Sequence, residues 1–164
     1  MKFGGHRTVA EGLAPFMTTS LQGWSASELT WVPLGRRRRR SRGFDQAEAL
    51  ARAVGRATGI PVRSLLRRVV ETSPQARRGG ADRKMALAGA FRAAAPAEVV
   101  LVDDVLTSGA TAAECAAALV AAGAVRVGVL TAARSLGGTL PARCSTLAGG
   151  LPSGSVVARE TFSR

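Results

Sequence analysis

The 164-residue chain reads as a single α/β domain built on a central, mostly parallel sheet flanked by helices. Three observations predict this. From Glu98 to Ala133 the order is strand, loop, helix, strand, which is a parallel crossover unit. The first of those strands, "EVVLV", is apolar at successive positions, as in a sheet covered on both faces. A separate helix with clear start and stop signals, after Asp45, supplies another layer.

Taken in order, Thr8 and Glu11 have the spacing of a capping box and predict a helix start, which Pro15 should limit or kink. "LTWVPL", Leu29 to Leu34, reads as a short buried strand that runs into the arginine-rich "GRRRRRSRGF". The next helix has Asp45 as N-cap, Ala47, Leu50, Ala51, Val54 and Ala57 on one face, Glu48, Arg52 and Arg56 on the other, and Gly59 as its stop. "IPVRSLL" is the following strand, and "ETSPQARRGGADRK" has no apolar period and reads as a polar, mobile loop. After the strand at Glu98–Val102, Thr111 and Glu114 predict the cap of a helix that Gly123 ends, and "VRVGVLTAA" is strand again. Beyond Arg134 the chain turns rich in Gly, Pro and Ser, with "SVVA" as its one candidate strand. The expected division is therefore a domain over 1–134 and an appended, partly disordered tail over 135–164.

Composition narrows the chemistry. Aromatic residues make up 4% and tyrosine is absent, so the core must be packed from Ala, Val and Leu. A formal net charge of +12 predicts attraction to phosphates, whether on nucleic acid, lipid or a small molecule. Two isolated cysteines, Cys115 and Cys144, and a single histidine, His6, argue against a disulfide framework and against metal held by nitrogen or sulfur. Cys115 shares a helix face with Ala112 and Leu119 and reads as buried filler, while Trp24 and Trp31 are too few for a base-stacking platform. No apolar run approaches the roughly 20 residues of a membrane span, and the expected location is the cytoplasm. Dinucleotide-binding, nucleotide-loop and zinc-protease motifs are all missing.

The most informative stretch is "VVLVDDVLTSGAT", in which the most apolar strand ends on Asp103 and Asp104. Side chains alternate along a strand, so both acids can reach one ligand only at its end, the carboxyl edge where open α/β sheets bind ligands. Two like charges about 5 Å apart repel by roughly 1 kcal/mol even in water, so a vicinal diol or a magnesium ion is expected to offset them. Thr107, Ser108, Gly109, Ala110 and Thr111 then bring hydroxyls and backbone N–H groups to a helix N-terminus, an anion cradle. A diol beside a phosphate describes a ribose 5-phosphate.

Those thirteen residues closely resemble, without a gap, the phosphoribosyl-pyrophosphate (PRPP) motif of the type I phosphoribosyltransferases. The blocks "VPL", "RGFDQAEALA" and "SPQARRGGADRKMALAGAF" follow in order the pattern of ComF-like competence proteins, which carry that domain, and the resemblance covers about residues 1–134. It implies the type I phosphoribosyltransferase fold, with a small hood from the N-terminal segment and the polar loop. It also implies transfer of a phosphoribosyl group with release of pyrophosphate through an oxocarbenium-like transition state. Asp103 and Asp104 would hold the ribose and, through PRPP, a magnesium ion, while residues 107–111 would hold the 5-phosphate. Arg42, inside "RGF", would assist catalysis by stabilising the leaving pyrophosphate. Arg36 among its neighbours, and Gln75 and Arg83 (with Arg77 and Arg78) on the flexible loop, would help to grip or cover it.

The sequence departs from the family pattern in several places. The usual N-terminal four-cysteine zinc module is missing, so a short form or an internal start is expected. Asp45 and Ala86 stand where asparagine is common. Two other readings therefore stay open: a nucleotide- or PRPP-binding module without catalysis, and a DNA-binding accessory of competence and DNA uptake that contacts single-stranded DNA or the uptake machinery. The acceptor is not legible, and homo-oligomerisation is left open.

Overall fold

A computed structural model describes residues 4–35, 40–41, 43–69, 91–94, 98–134 and 158–163. The order is α1 (Gly4–Thr19), β1 (Glu28–Trp31), α2 (Gln46–Thr58), β2 (Leu66–Arg68), β3 (Phe91–Ala93), β4 (Glu98–Leu106), α3 (Ala110–Ala121), β5 (Arg126–Arg134) and β6 (Ala158–Ser163). Strands β1, β4 and β5 are parallel neighbours, and β6 joins β5 antiparallel, giving a four-stranded sheet in the order β1-β4-β5-β6.

The aliphatic run of β4 explains the layering. Val99 and Leu101 face one hydrophobic cluster, shared with Cys115, Ala116 and Leu119 of α3 and with Leu66 and Phe91 of the small pair β2–β3. Val100 and Val102 face a second cluster, formed with Ala10, Ala14 and Met17 of α1 and Leu50, Ala51 and Val54 of α2. The sheet is thus covered on both faces, as its unbroken apolar strands predict.

Helix α2 matches its sequence signals. Asp45 caps it by accepting the Glu48 N–H at 3.3 Å, and Gly59 closes it in the left-handed conformation at φ 75°. Other elements differ from expectation. Helix α1 begins upstream of the Thr8–Glu11 spacing and continues through Pro15 to Thr19. The proline removes one donor, and Thr18 and Thr19 hydroxyls donate to its carbonyl at 2.8 and 3.1 Å. α1 packs on the main sheet beside α2, so the N-terminal helix is a covering layer and not part of a hood. Strand β1 stops at Trp31, short of the expected Leu34, although the Val32 N–H still donates to the Val102 carbonyl at 3.0 Å. The expected strand "IPVRSLL" instead lies along β1, joined by a single parallel bridge, Leu29 with Val62, and β2 begins at its last residue. Strand β2 pairs antiparallel with β3, a small two-stranded unit apart from the main sheet.

Strand β6 lies within the stretch expected to be a tail. It sits three residues later than "SVVA" begins and adds an edge to the sheet, so residues 158–163 are part of the domain's backbone frame. The polar loop at 71–84 lies outside the described residues.

Candidate functional site

The site forms where β1 stops and β4 does not. Register with β1 ends at Trp31 opposite Val102, so one edge of β4 opens at the next residue, Asp103. The strand does not end on the acids, as the sequence suggested; it stays paired with β5 through Leu106 opposite Arg134. Here the carboxylates also bond the backbone of the residues that follow them. Asp103 Oδ1 accepts the Asp104 N–H at 2.9 Å, and Asp104 Oδ1 accepts the Val105 N–H at 2.8 Å.

Asp103 continues the face of Val99 and Leu101 and is partly buried beside α3. Burial first, and the neighbouring Asp104 charge second, push its carboxyl up from 3.8 to about 8, with Asp45 adding to the effect. The like-charge problem posed by the sequence is therefore met, in the chain by itself, by a retained proton. Thr131, opposite Asp103 in register and fully buried, has an Oγ1 without a hydrogen-bond partner among the described residues. Cys115 lies buried on the same side, its thiol pushed up by burial and by the field of Asp103, partly countered by Arg68. It packs as filler and is not poised as a nucleophile.

Residues 107–111 follow directly. Thr107 and Ser108 are exposed, Gly109 and Ala110 are buried, and Thr111 is half-buried. Gly109, not Thr111, is the N-cap of α3, at φ 70°, and makes no side-chain cap bond. The positive φ turns the strand sharply into the helix, and Thr111 falls inside the first turn with its hydroxyl near the helix end. The first-turn N–H groups receive no cap from the N-cap residue itself and make an electropositive end suited to an anion.

A cleft of about 530 Å³ adjoins this edge, lined by Trp31, Pro33, Leu34 and Asp45 on one side and by Ser64–Arg68 and Arg92–Ala94 on the other. Asp103, Asp104 and the 107–111 loop do not line it; Asp45, whose charge reaches Asp103, links the two. Both Asp45 oxygens accept backbone N–H groups, Oδ2 from Leu34 at 3.2 Å and Oδ1 from Glu48 at 3.3 Å. The arginines on this cleft were missed in the sequence, because what gathers them is the pairing of two short strands distant in the chain.

The structure therefore places Asp103 and Asp104 within the last residues of β4 and Thr107, Ser108, Gly109, Ala110 and Thr111 in the loop and first turn that follow it. Arg36, Arg42, Gln75 and Arg83 lie outside the described residues, as do Arg77, Arg78 and Ala86. Among the described residues no three His, Cys, Asp or Glu side chains cluster to hold a metal. The two aspartates offer hard oxygen donors, which fit a magnesium ion whose other ligands are substrate phosphates and water.

The same arrangement of elements occurs in solved enzymes. The allosteric regulatory enzyme of purine biosynthesis matches 76% of this chain and 25% of its own, with TM-score 0.53 and 23% identity. The glutamine PRPP amidotransferase of B. subtilis matches 76% and 26%, with TM-score 0.51 and 23% identity. The chain has the type I phosphoribosyltransferase fold. In sequence, this phosphoribosyltransferase-fold chain is 38% identical over 109 residues to the DNA utilization protein YhgH of Salmonella typhi and to its namesake in Salmonella typhimurium strain LT2. The match takes in 64% of the chain and 48% of either relative, so the chain spans about half the length of the curated relatives it matches. No protein-family model matches. The fold is the one that the sequence resemblance implied. Among the described residues no helix is long and apolar enough to cross a membrane.

Proposed function

We propose that the chain binds PRPP and transfers its phosphoribosyl group to an acceptor, releasing pyrophosphate. The observation that carries this reading is the run from paired carboxylates to a helix N-terminus without a side-chain cap, Asp103 to Thr111, on an edge of β4 that β1 leaves open. Asp103 and Asp104 would accept the two ribose hydroxyls, and the first turn of α3, with Thr107, Ser108 and Thr111, would hold the 5-phosphate. The acceptor's lone pair forms the new bond to the anomeric carbon. The carbon–oxygen bond to pyrophosphate breaks, its electron pair leaves with pyrophosphate, and any proton on the nucleophile passes to solvent. Positive charge grows on the ribose ring in the transition state, and the acid pair would favour it once Asp103 gives up the proton it holds in the chain by itself. Magnesium, when bound with PRPP, would neutralise charge on the pyrophosphate; Arg42 and Arg36 would act on the same group, and Gln75 and Arg83 would help to cover it.

Calorimetric titration of PRPP with magnesium tests the reading. Wild type should bind, and the double substitution Asp103→Asn with Asp104→Asn should weaken binding by about a hundredfold, the scale of two lost charge-assisted hydrogen bonds. Equal binding by a folded double variant overturns it.

A second reading is favoured by the name of the YhgH relatives and by the +12 charge: action on DNA, with arginines meeting phosphates. It predicts a steep dependence on salt.

A further inference from the structure

We propose that Arg67 and Arg92 form a guanidinium pair that selects an acceptor carrying an oxyanion, a carboxylate or a phosphate, in the cleft beside the β4 edge. The proposal rests on the transferase reading and adds the chemical class of its second substrate.

Three observations carry it. First, Arg67 and Arg92 are direct cross-strand partners in the β2–β3 register, and both are exposed. Side chains directly opposite on antiparallel strands have Cβ atoms about 5 Å apart and share one face. Like charges placed so oppose pairing, and among the described residues no ion pair relieves either of them. An oxyanion bridging the two guanidiniums would.

Second, the ribbon divides its labour. Leu66 and Phe91 are buried in the core beside α3 and anchor the pair. Arg68, on the face of Leu66 and Phe91, sits over the Phe91 ring at 5.4 Å and adds its charge to the cleft wall. Arg67 and Arg92, at the alternate positions, are the outward pair.

Third, both line the cleft of about 530 Å³, a size suited to a small molecule. Among the described residues its wall carries one acid, Asp45, 7% exposed with both oxygens accepting backbone N–H groups, beside three arginines, so the wall stays net positive. Trp31 places the cleft next to the chemistry, because it lines the cleft and pairs in register with Val102, the residue before Asp103. A nucleophile held there by its oxyanion stands beside the proposed ribose.

The test uses the whole chain and matched probes, benzoate against benzamide and phenyl phosphate against phenol, titrated with and without PRPP and magnesium. At least one anion should bind about tenfold or more tightly than its neutral partner, and which one does separates a carboxylate site from a phosphate site. Arg67→Gln with Arg92→Gln should abolish the difference, Arg67→Lys with Arg92→Lys should keep part of it, and both variants should bind PRPP like wild type. Melting temperatures of these exposed variants check that they fold. Equal binding of anion and neutral probe overturns the proposal, as does a preference that survives the glutamine pair. Loss of PRPP binding in the glutamine pair assigns the arginines to PRPP instead. Loss of a single-stranded oligonucleotide, with no probe bound by wild type, makes the ribbon a nucleic-acid surface. A wild type that discriminates the probes but does not bind PRPP refutes the transferase reading and leaves the oxyanion cleft standing.

Discussion

A carboxyl group that keeps its proton to about pH 8 behaves differently from the ionised acid that the bare sequence suggests at Asp103. In the unfolded chain it would titrate near 3.8, so between those two values the folded state holds a proton that the unfolded state has shed. Stability from this residue is complete below about pH 4 and is lost as pH rises through about 8. Urea unfolding at pH 5 and at pH 8.5 should show a fall in wild-type stability that is smaller in Asp103→Asn, which has no proton to lose. Asp104→Asn removes the second cause of the shift and should move the fall to lower pH. The adjacency of the acids was plain in the sequence. The proton was not, because it depends on burial against α3, a contact made only in three dimensions.

At the scale of elements, α2 shows how much one residue can fasten. Asp45 joins the helix start to the end of the β1 segment through Glu48 and Leu34. Asp45→Ala should cost about 2 kcal/mol in denaturant unfolding, near the upper end for an N-cap, since two backbone donors lose their acceptor. Asp45→Asn should cost about half as much: one oxygen still accepts, while its amide NH₂ turns a donor toward the other N–H. The helix was legible because its cap, period and stop are all local. The pair β2–β3 was not, since each strand has three residues and its partner lies far along the chain. Nor was the edge strand β6, placed in a stretch whose composition reads as a tail. For the same reason the Asp103–Thr111 half of the candidate site could be named from sequence, and the Arg67–Arg92 half could not.

For the whole molecule the charge of +12 sets the other expectation. If the chain acts on DNA through several arginines, oligonucleotide affinity should fall by about a thousandfold between 50 and 200 mM salt. PRPP affinity should fall far less over that range, since a small ligand is held by directed hydrogen bonds at one edge as well as by charge. Fluorescence anisotropy with a labelled oligonucleotide, beside calorimetry with PRPP, reads both. A shallow oligonucleotide slope removes the DNA reading.

The two hydrophobic clusters meet only across the thickness of the sheet, and successive residues of β4 belong to different ones. Val100 and Val102 answer to α1 and α2, whereas Leu101 and Asp103 answer to α3. Amino-acid replacements can therefore accumulate on the α1–α2 side under packing constraints of their own, with little bearing on the side that holds Asp103. Descendants of one ancestral chain could diverge widely in that layer and still inherit the same acid pair and turn. A search for kin by overall likeness would then see less than a search confined to one face.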